Sequence, residues 1–237
     1  MREVIPSPFN REPWGRISKN PLLRTTFSLT GKELLPNKVV EQLIKVEEDY
    51  AYRMSEEDFE RSLVQSIAAF ELRHLYRRRL FPLISHEFLV ALSGLCSQFK
   101  HVIELSAGTG WLTWWLRKYG TDVKRCVDNK SWQNFHRYHA FVERADSPSV
   151  VQESPKADLF IICWPYMDPV AYWVWEAMKF GQYLLYIGEG PGGCTADYAF
   201  FGEAEGWEIE DDYDAVNEQF LSFYGVHDRV HLYRKGD

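Results

Sequence analysis

The run His101-Val-Ile-Glu-Leu-Ser-Ala-Gly-Thr-Gly-Trp111 is the feature that most restricts how this chain can fold. Val102 to Leu105 reads as a short apolar strand, Ser106 to Gly110 as a turn of small residues, and a helix is expected from near Trp111. Glu104 closes the strand, and a second acid, Asp128, ends the next strand-like run, Val123-Lys-Arg-Cys-Val-Asp128. Strand, small-residue turn, helix, strand and acid, in that order, form the unit with which a doubly wound α/β sheet holds an adenosine-containing cofactor. Small residues let the backbone approach the ligand, and the second carboxylate accepts from the ribose hydroxyls.

The spacing separates two kinds of cofactor. A dinucleotide turn runs Gly-x-Gly-x-x-Gly and aims a helix N-terminus at the pyrophosphate. Here the order is Glu104-x-Ser106-x-Gly108-x-Gly110, and Thr113 stands where the last small residue would fall. The pattern resembles the first motif of the Rossmann-like (class I) S-adenosylmethionine-dependent methyltransferases, acid-x-Gly-x-Gly-x-Gly, with Ser106 in place of the first glycine. The resemblance implies a cofactor, S-adenosylmethionine, lying on Ser106, Ala107, Gly108, Thr109 and Gly110. It puts Glu104 near the methionine ammonium, directly or through water, and Asp128 with its neighbour Asn129 at the ribose. The other reading of the same residues is a structural tight turn in an unrelated α/β protein.

Ahead of this unit the chain divides into two regions. Residues 1–35 carry Pro6, Pro8, Pro13 and Pro21 without sustained periodicity, with Lys and Arg outnumbering acids by six to three. This is the composition of an extended arm, through which a partner could be contacted. Residues 36–99 read as helical. Val39, Leu43, Val46 and Tyr50 share one face, and a capping box at Ser55 opens a helix carrying Phe59, Leu63, Ile67 and Phe70. That helix ends in Arg77-Arg78-Arg79, either a solvated last turn favoured by the helix dipole or a phosphate patch. Ser85 is placed to cap a third helix with Phe88, Leu89, Leu92, Leu95 and Phe99.

From residue 100 to 237 strands alternate with helices, the pattern of a mostly parallel sheet. After the first two strands a helix is expected over Trp132–Arg144 and a short strand near Val150–Glu153. Asp158 to Trp164 is a nearly continuous apolar run, as in a strand buried on both faces. A helix from Val170 to Lys179 leads to the strand Tyr183–Gly188, and Trp207–Glu210 and Arg229–Arg234 complete the series. The fold class is therefore α/β: a doubly wound, mostly parallel, seven-stranded sheet with an N-terminal helical extension. The resemblance implies that the last strand is antiparallel.

Two segments at the carboxyl ends of strands carry the candidate chemistry. The fourth strand ends Cys163-Trp-Pro-Tyr166, at the family's fourth motif, which in amine-methylating members is Asp or Asn followed by Pro-Pro-aromatic. Cys163 would hold the polar slot, and a thiol accepts hydrogen bonds poorly, which argues against adenine or amine methylation. Trp164 and Pro165 read either as a rigid wall against the substrate, with Tyr166 stacking or hydrogen-bonding, or as a turn with an aromatic plug. The fifth strand runs into Gly188-Glu-Gly-Pro-Gly-Gly-Cys-Thr195, four glycines in six residues, a loop that turns tightly or approaches a ligand. Glu189 is either a carboxylate that binds or deprotonates a substrate group or an ordinary loop glutamate. The Trp-Pro and Gly-Glu-x-x-Gly-Cys-Thr segments resemble a poorly characterised methyltransferase-like branch whose fourth strand ends Trp-Pro-Pro, from which Tyr166 departs.

Composition bounds the remaining classes. The formal charge of −7 argues against a broad non-specific nucleic-acid surface, though not against a local basic groove, and a small-molecule or protein acceptor is favoured over nucleic acid. No apolar run reaches the ~18 residues of a membrane span. Cys96, Cys126, Cys163 and Cys194 are scattered without a Cys-x-x-Cys pair, pointing to reduced thiols and a cytoplasmic location. His136 and His139 stand three apart with no obvious carboxylate partner, so no metal is expected. The reading is a methyltransferase of unknown acceptor. Its rivals are a non-catalytic binding or assembly module that keeps the fold and, disfavoured by the turn spacing, a nicotinamide enzyme.

Overall fold

A computed structural model describes residues 81–82, 84–131, 138–209, 213–220 and 227–236. The expected arm, the first two helices and residues 132–137 of the expected Trp132–Arg144 helix lie outside them. The described elements run α1 (His86–Cys96), β1 (Val102–Leu105), α2 (Trp111–Lys118), β2 (Val123–Asp128), β3 (Glu143–Arg144), α3 (Ser147–Glu153), β4 (Leu159–Cys163), α4 (Val170–Ala177), β5 (Tyr183–Gly188), α5 (Tyr198–Ala204), α6 (Asp214–Asn217) and β6 (Arg229–Arg234).

The six strands form one sheet in the order β3-β2-β1-β4-β5-β6. All neighbours are parallel except β6, which runs antiparallel to β5 from Tyr183↔Arg234 to Gly188↔Arg229. The strand order turns back between β1 and β4, so the carboxyl ends of these two strands form the switch-point crevice.

Alternation along the strands sorts the core into two layers. Leu159, Ile161 and Cys163 of β4 face α1, α2 and α6 through Phe88, Leu89, Leu92, Leu112 and Val216. Phe160 and Ile162 face α3, α4 and α5 through Val151, Val174, Trp175 and Phe200. All five β4 residues are buried, and each large apolar side chain removed from water contributes about 1.5–3 kcal/mol. The apolar run read from the sequence therefore marks the central strand. The Ser85 cap is also present: Ser85 Oγ accepts from Phe88 N–H at 3.1 Å and opens α1.

Three expectations are corrected. The segment at Val150–Glu153 is not a strand but the end of helix α3. Asp146 caps that helix by accepting from Ser149 N–H at 3.1 Å, and Pro148 sits in its first turn, which outweighs the β-branched pair Val150-Val151. The third strand is instead Glu143–Arg144, inside the stretch expected to end a helix. It is too short for periodicity to reveal. Finally, Trp207–Glu210 forms no strand among the described residues: Glu208 makes an isolated antiparallel bridge with Tyr233, so the described sheet has six strands rather than seven.

Candidate functional site

The turn after β1 is built by strained and crowded backbone. Ser106 has φ +48°, Gly108 φ +53° and Gly110 φ +85°. The left-handed region costs a residue with a Cβ about 1–2 kcal/mol, which is why glycine suits these positions. Ser106 takes the conformation anyway. Its N–H and hydroxyl both meet Ser147 Oγ at 3.0 Å, a buried anchor on α3.

The two glycines do different work. A Cβ on Gly110 would lie 2.5 Å from Val142 Cγ2 and 3.1 Å from Phe141, so this glycine lets the turn pack on the chain entering β3. A Cβ on Gly108 would meet nothing within 4 Å. Open space above the middle of the turn is what a bound ligand requires.

Glu104 is 1% exposed at the end of β1. Its Oε2 accepts from Thr113 N–H at 3.0 Å, from the Thr113 hydroxyl and from the Cys126 thiol at 3.6 Å. Its Oε1 has no hydrogen-bond partner among the described residues. Burial pushes the Glu104 carboxyl up to about 7, opposed by the bonds from Thr113 and Cys126 and assisted by the Asp128 charge. A buried carboxyl with one orphaned oxygen has the chemistry to accept from a cationic donor. The methionine ammonium that the turn's resemblance leads one to expect is such a donor, so Glu104 fits that group.

Asp128 holds the turn as well as facing it. Its Oδ2 accepts from Gly108 N–H at 2.9 Å and its Oδ1 from Lys130 N–H at 2.6 Å, while Ala107 N–H reaches Val127 O at 2.9 Å. A carboxylate oxygen accepts more than one bond, so the ribose role is chemically compatible with this one. Asn129 is exposed, and its Oδ1 accepts from Ser131 N–H at 2.8 Å. Thr109 is buried, and its carbonyl accepts from His139 N–H at 3.0 Å. His139 packs against Trp111 and Phe141, and burial lowers its affinity for a proton. His136 lies outside the described residues.

Across the switch point, Trp164 follows β4 with φ +55°. Its backbone N–H donates to Ile187 O at 2.7 Å and its indole N–H to Asp228 Oδ1 at 2.7 Å. Phe81 stacks on its ring with centroids 5.0 Å apart and planes 3° from parallel. Pro165 is buried, and its carbonyl accepts from Ala196 N–H at 3.4 Å, which ties this turn to the glycine loop after β5. Tyr166 is half exposed. Cys163 is buried, and burial, with Glu104 and Asp228 adding, holds its thiol neutral.

Glu189 is buried rather than solvent-facing, and its Oε2 accepts from Cys194 N–H at 2.6 Å. Its backbone N–H donates to Thr195 Oγ1 at 2.9 Å, and its carbonyl accepts from the Tyr186 hydroxyl at 2.8 Å. A Cβ on Gly193 would lie 2.4 Å from Glu189 Cβ, so the glycines let the loop close around this side chain.

The structure thus gathers Glu104, the 106–110 turn, Asp128, the 164–166 turn and Glu189 on the carboxyl edge of one sheet. Sequence reasoning missed Thr113, Asp228, Ser147 and Phe81. Thr113 carried a signal, since it stands where a dinucleotide fold would place a small residue. The others are distant in sequence and carried none.

No protein-family model and no curated protein matches the chain. Solved structures with a similar arrangement include human N-acetylserotonin methyltransferase in complex with SAM, at 16% identity and TM-score 0.36, covering 63% of this chain and 51% of that one. A putative O-methyltransferase from Klebsiella pneumoniae is similar at 15% identity and TM-score 0.36, covering 75% and 94%. An O-methyltransferase family protein from Burkholderia thailandensis is similar at 12% identity and TM-score 0.39, covering 84% and 71%. The chain spans about half the length of the first of these.

Proposed function

We propose that this protein is an S-adenosylmethionine-dependent methyltransferase of the Rossmann-like class, with a small-molecule or protein acceptor. The observation that carries the reading is the orphaned Oε1 of the buried Glu104, at the foot of a turn whose central glycine opens onto free space. An ammonium beside it would supply the missing hydrogen bond and the countercharge together. Asp128 would take the ribose hydroxyls from the far side of the turn, with Asn129 beside it.

When bound, the cofactor supplies an electrophilic methyl group on a sulfonium. The protein then has mainly to align an acceptor atom with that carbon and exclude water, an effect worth up to ~7–11 kcal/mol. Trp164, Pro165 and Tyr166 form the acceptor side, and the Ala196 N–H bond to Pro165 O holds the β4 turn and the β5 loop as one unit. In this reading Glu189 shapes the loop through Cys194.

A second reading, a non-catalytic module keeping the cofactor site, draws support from the same edge. Cys163 is a neutral thiol in the polar slot, and Glu189 is turned into its own loop. Calorimetry with S-adenosylhomocysteine, followed by transfer of labelled methyl from S-adenosylmethionine into fractionated cell extract, separates them. Binding with transfer supports the enzyme, binding without transfer favours the module, and binding of NAD alone refutes both.

A further inference from the structure

Helix α2 begins without a cap of its own. Its N-cap is Gly110, which has no side chain, and no acid stands in its first turn. The missing acceptor comes from the neighbouring strand, where Glu104 Oε2 takes the N–H of Thr113, the third residue of the helix, at 3.0 Å. That bond alone would make Glu104 a structural cap. Two further donors reach the same oxygen: the Thr113 hydroxyl, and at 3.6 Å the thiol of Cys126, the β2 residue paired in register with Glu104. Thr113 and Cys126 are both buried. Three donors thus converge on Oε2, while Oε1 is buried with no partner among the described residues. A cap needs only one oxygen, and a buried acceptor left unpaired costs stability.

The asymmetry decides where a proton or a charge can sit. Burial keeps the Cys126 thiol protonated, so it remains a donor, and the Cys163 thiol is held neutral as well. When Glu104 is protonated, its proton belongs on Oε1, because Oε2 already accepts from three groups. When Glu104 is ionised, Oε1 carries charge without a donor. Among the described residues no ion pair includes Glu104, and the charge that bears on it is Asp128, of the same sign. What Oε1 lacks is therefore an N–H that brings a positive charge with it.

We propose that Thr113 is a positioning residue, whose hydroxyl and N–H hold Oε2 of Glu104 against the start of α2 and so reserve Oε1 for the primary ammonium of the ligand. The identity of that ligand rests on the methyltransferase reading; the hold on Oε2 does not. Thr113 acts through the carboxylate. Ligand and helix are thereby linked: an ammonium at Oε1 favours the ionised carboxyl, and an ionised Oε2 accepts more strongly from Thr113.

The test uses full-length protein and three nucleosides: S-adenosylhomocysteine, its decarboxylated form, which keeps the ammonium, and 5′-methylthioadenosine, which has neither ammonium nor carboxylate. Calorimetry compares wild type with Thr113→Val, which exchanges the hydroxyl for a methyl group, and Thr113→Ser, which restores it. Thermal unfolding checks that each variant is folded, and Thr113→Ala replaces the valine variant if that one is not. Thr113→Val should lose about fivefold or more for both ammonium ligands and less than about twofold for 5′-methylthioadenosine, and Thr113→Ser should return to within about threefold of wild type. A second readout needs no ligand. The infrared band of the protonated Glu104 carboxyl, assigned by its absence in Glu104→Gln, should persist to higher pH in Thr113→Val and return toward wild type in Thr113→Ser, because the lost bond favoured the ionised form. A folded Thr113→Val that weakens all three ligands alike, as a purely structural cap would, overturns the proposal. So does one that binds them as wild type does, or a serine variant that fails to recover. Wild type that binds none of the three removes the methyltransferase reading instead; a shifted infrared band then upholds the hold on Glu104, and an unshifted one overturns it.

Discussion

Replacing Glu104 with glutamine tests the cofactor site through a quantity that needs no acceptor. Glu104 is fully buried, and its carboxyl is pushed from 4.5 to about 7. In the unfolded chain it ionises near 4.5, so between that pH and about 7 the folded state holds a proton that the unfolded state has lost. The sign follows: stability from this group is complete below pH 4.5 and falls as pH rises through 7. Each tenfold change in proton affinity is worth about 1.36 kcal/mol, so about 3 kcal/mol is lost across the window. Glu104→Gln keeps the shape, still accepts from Thr113 and cannot ionise. Urea unfolding at about pH 5.5 and 8.5 should therefore find the variant more stable than wild type at the higher pH, by up to about 3 kcal/mol, with a smaller difference at the lower. Cofactor should show the opposite preference. Binding an ammonium beside Oε1 favours the carboxylate, so S-adenosylhomocysteine should release close to one proton per wild-type molecule at about pH 6 and none in the variant. The assay is calorimetry in two buffers of different ionisation enthalpy. A variant less stable than wild type at the higher pH, or proton release unchanged by the substitution, would refute the placement of the ammonium at Glu104.

The remaining predictions concern the turn and the loops. Gly108→Val should abolish S-adenosylhomocysteine binding while the sheet still forms, because its side chain enters open space; Gly110→Ala should instead destabilise the fold by about 1–3 kcal/mol through its clash with Val142, as thermal unfolding would show. Asp128→Ala should weaken the cofactor by about 1.5–3 kcal/mol, and calorimetry of Asp128→Asn should recover part of this because an amide oxygen still accepts from one backbone N–H of the turn. Glu189→Gln should leave cofactor affinity unchanged and retain the Cys194 bond, so a large loss of methyl transfer with normal stability would assign Glu189 to the chemistry after all. Tyr166→Phe should lower transfer into extract without moving cofactor affinity, and identical labelling would remove its hydroxyl from the acceptor site.

The sequence determined the frame of this protein through short-range signals. A fully buried strand needs an unbroken apolar run, so Leu159–Cys163 announced the centre of the sheet, and a backbone at positive φ favours glycine, so Gly108 and Gly110 announced the turn. Acids at the ends of β1 and β2 could be read because strand ends are where an α/β sheet presents its ligands. Local chemistry misled where two signals competed: Asp146 and Pro148 impose a helix on Val150-Val151, and a two-residue strand such as Glu143–Arg144 exists only because β2 lies beside it. What each acid does was decided in three dimensions. Whether Glu189 faces solvent depends on where Cys194 returns, and the ionisation of Glu104 depends on how completely the fold buries it. The partners that fix Trp164 come from positions 81 and 228, on opposite sides of it in the chain. Neither periodicity nor spacing can encode such a meeting, because hydrogen bonds and ring contacts act over a few ångströms in space whatever the distance along the sequence.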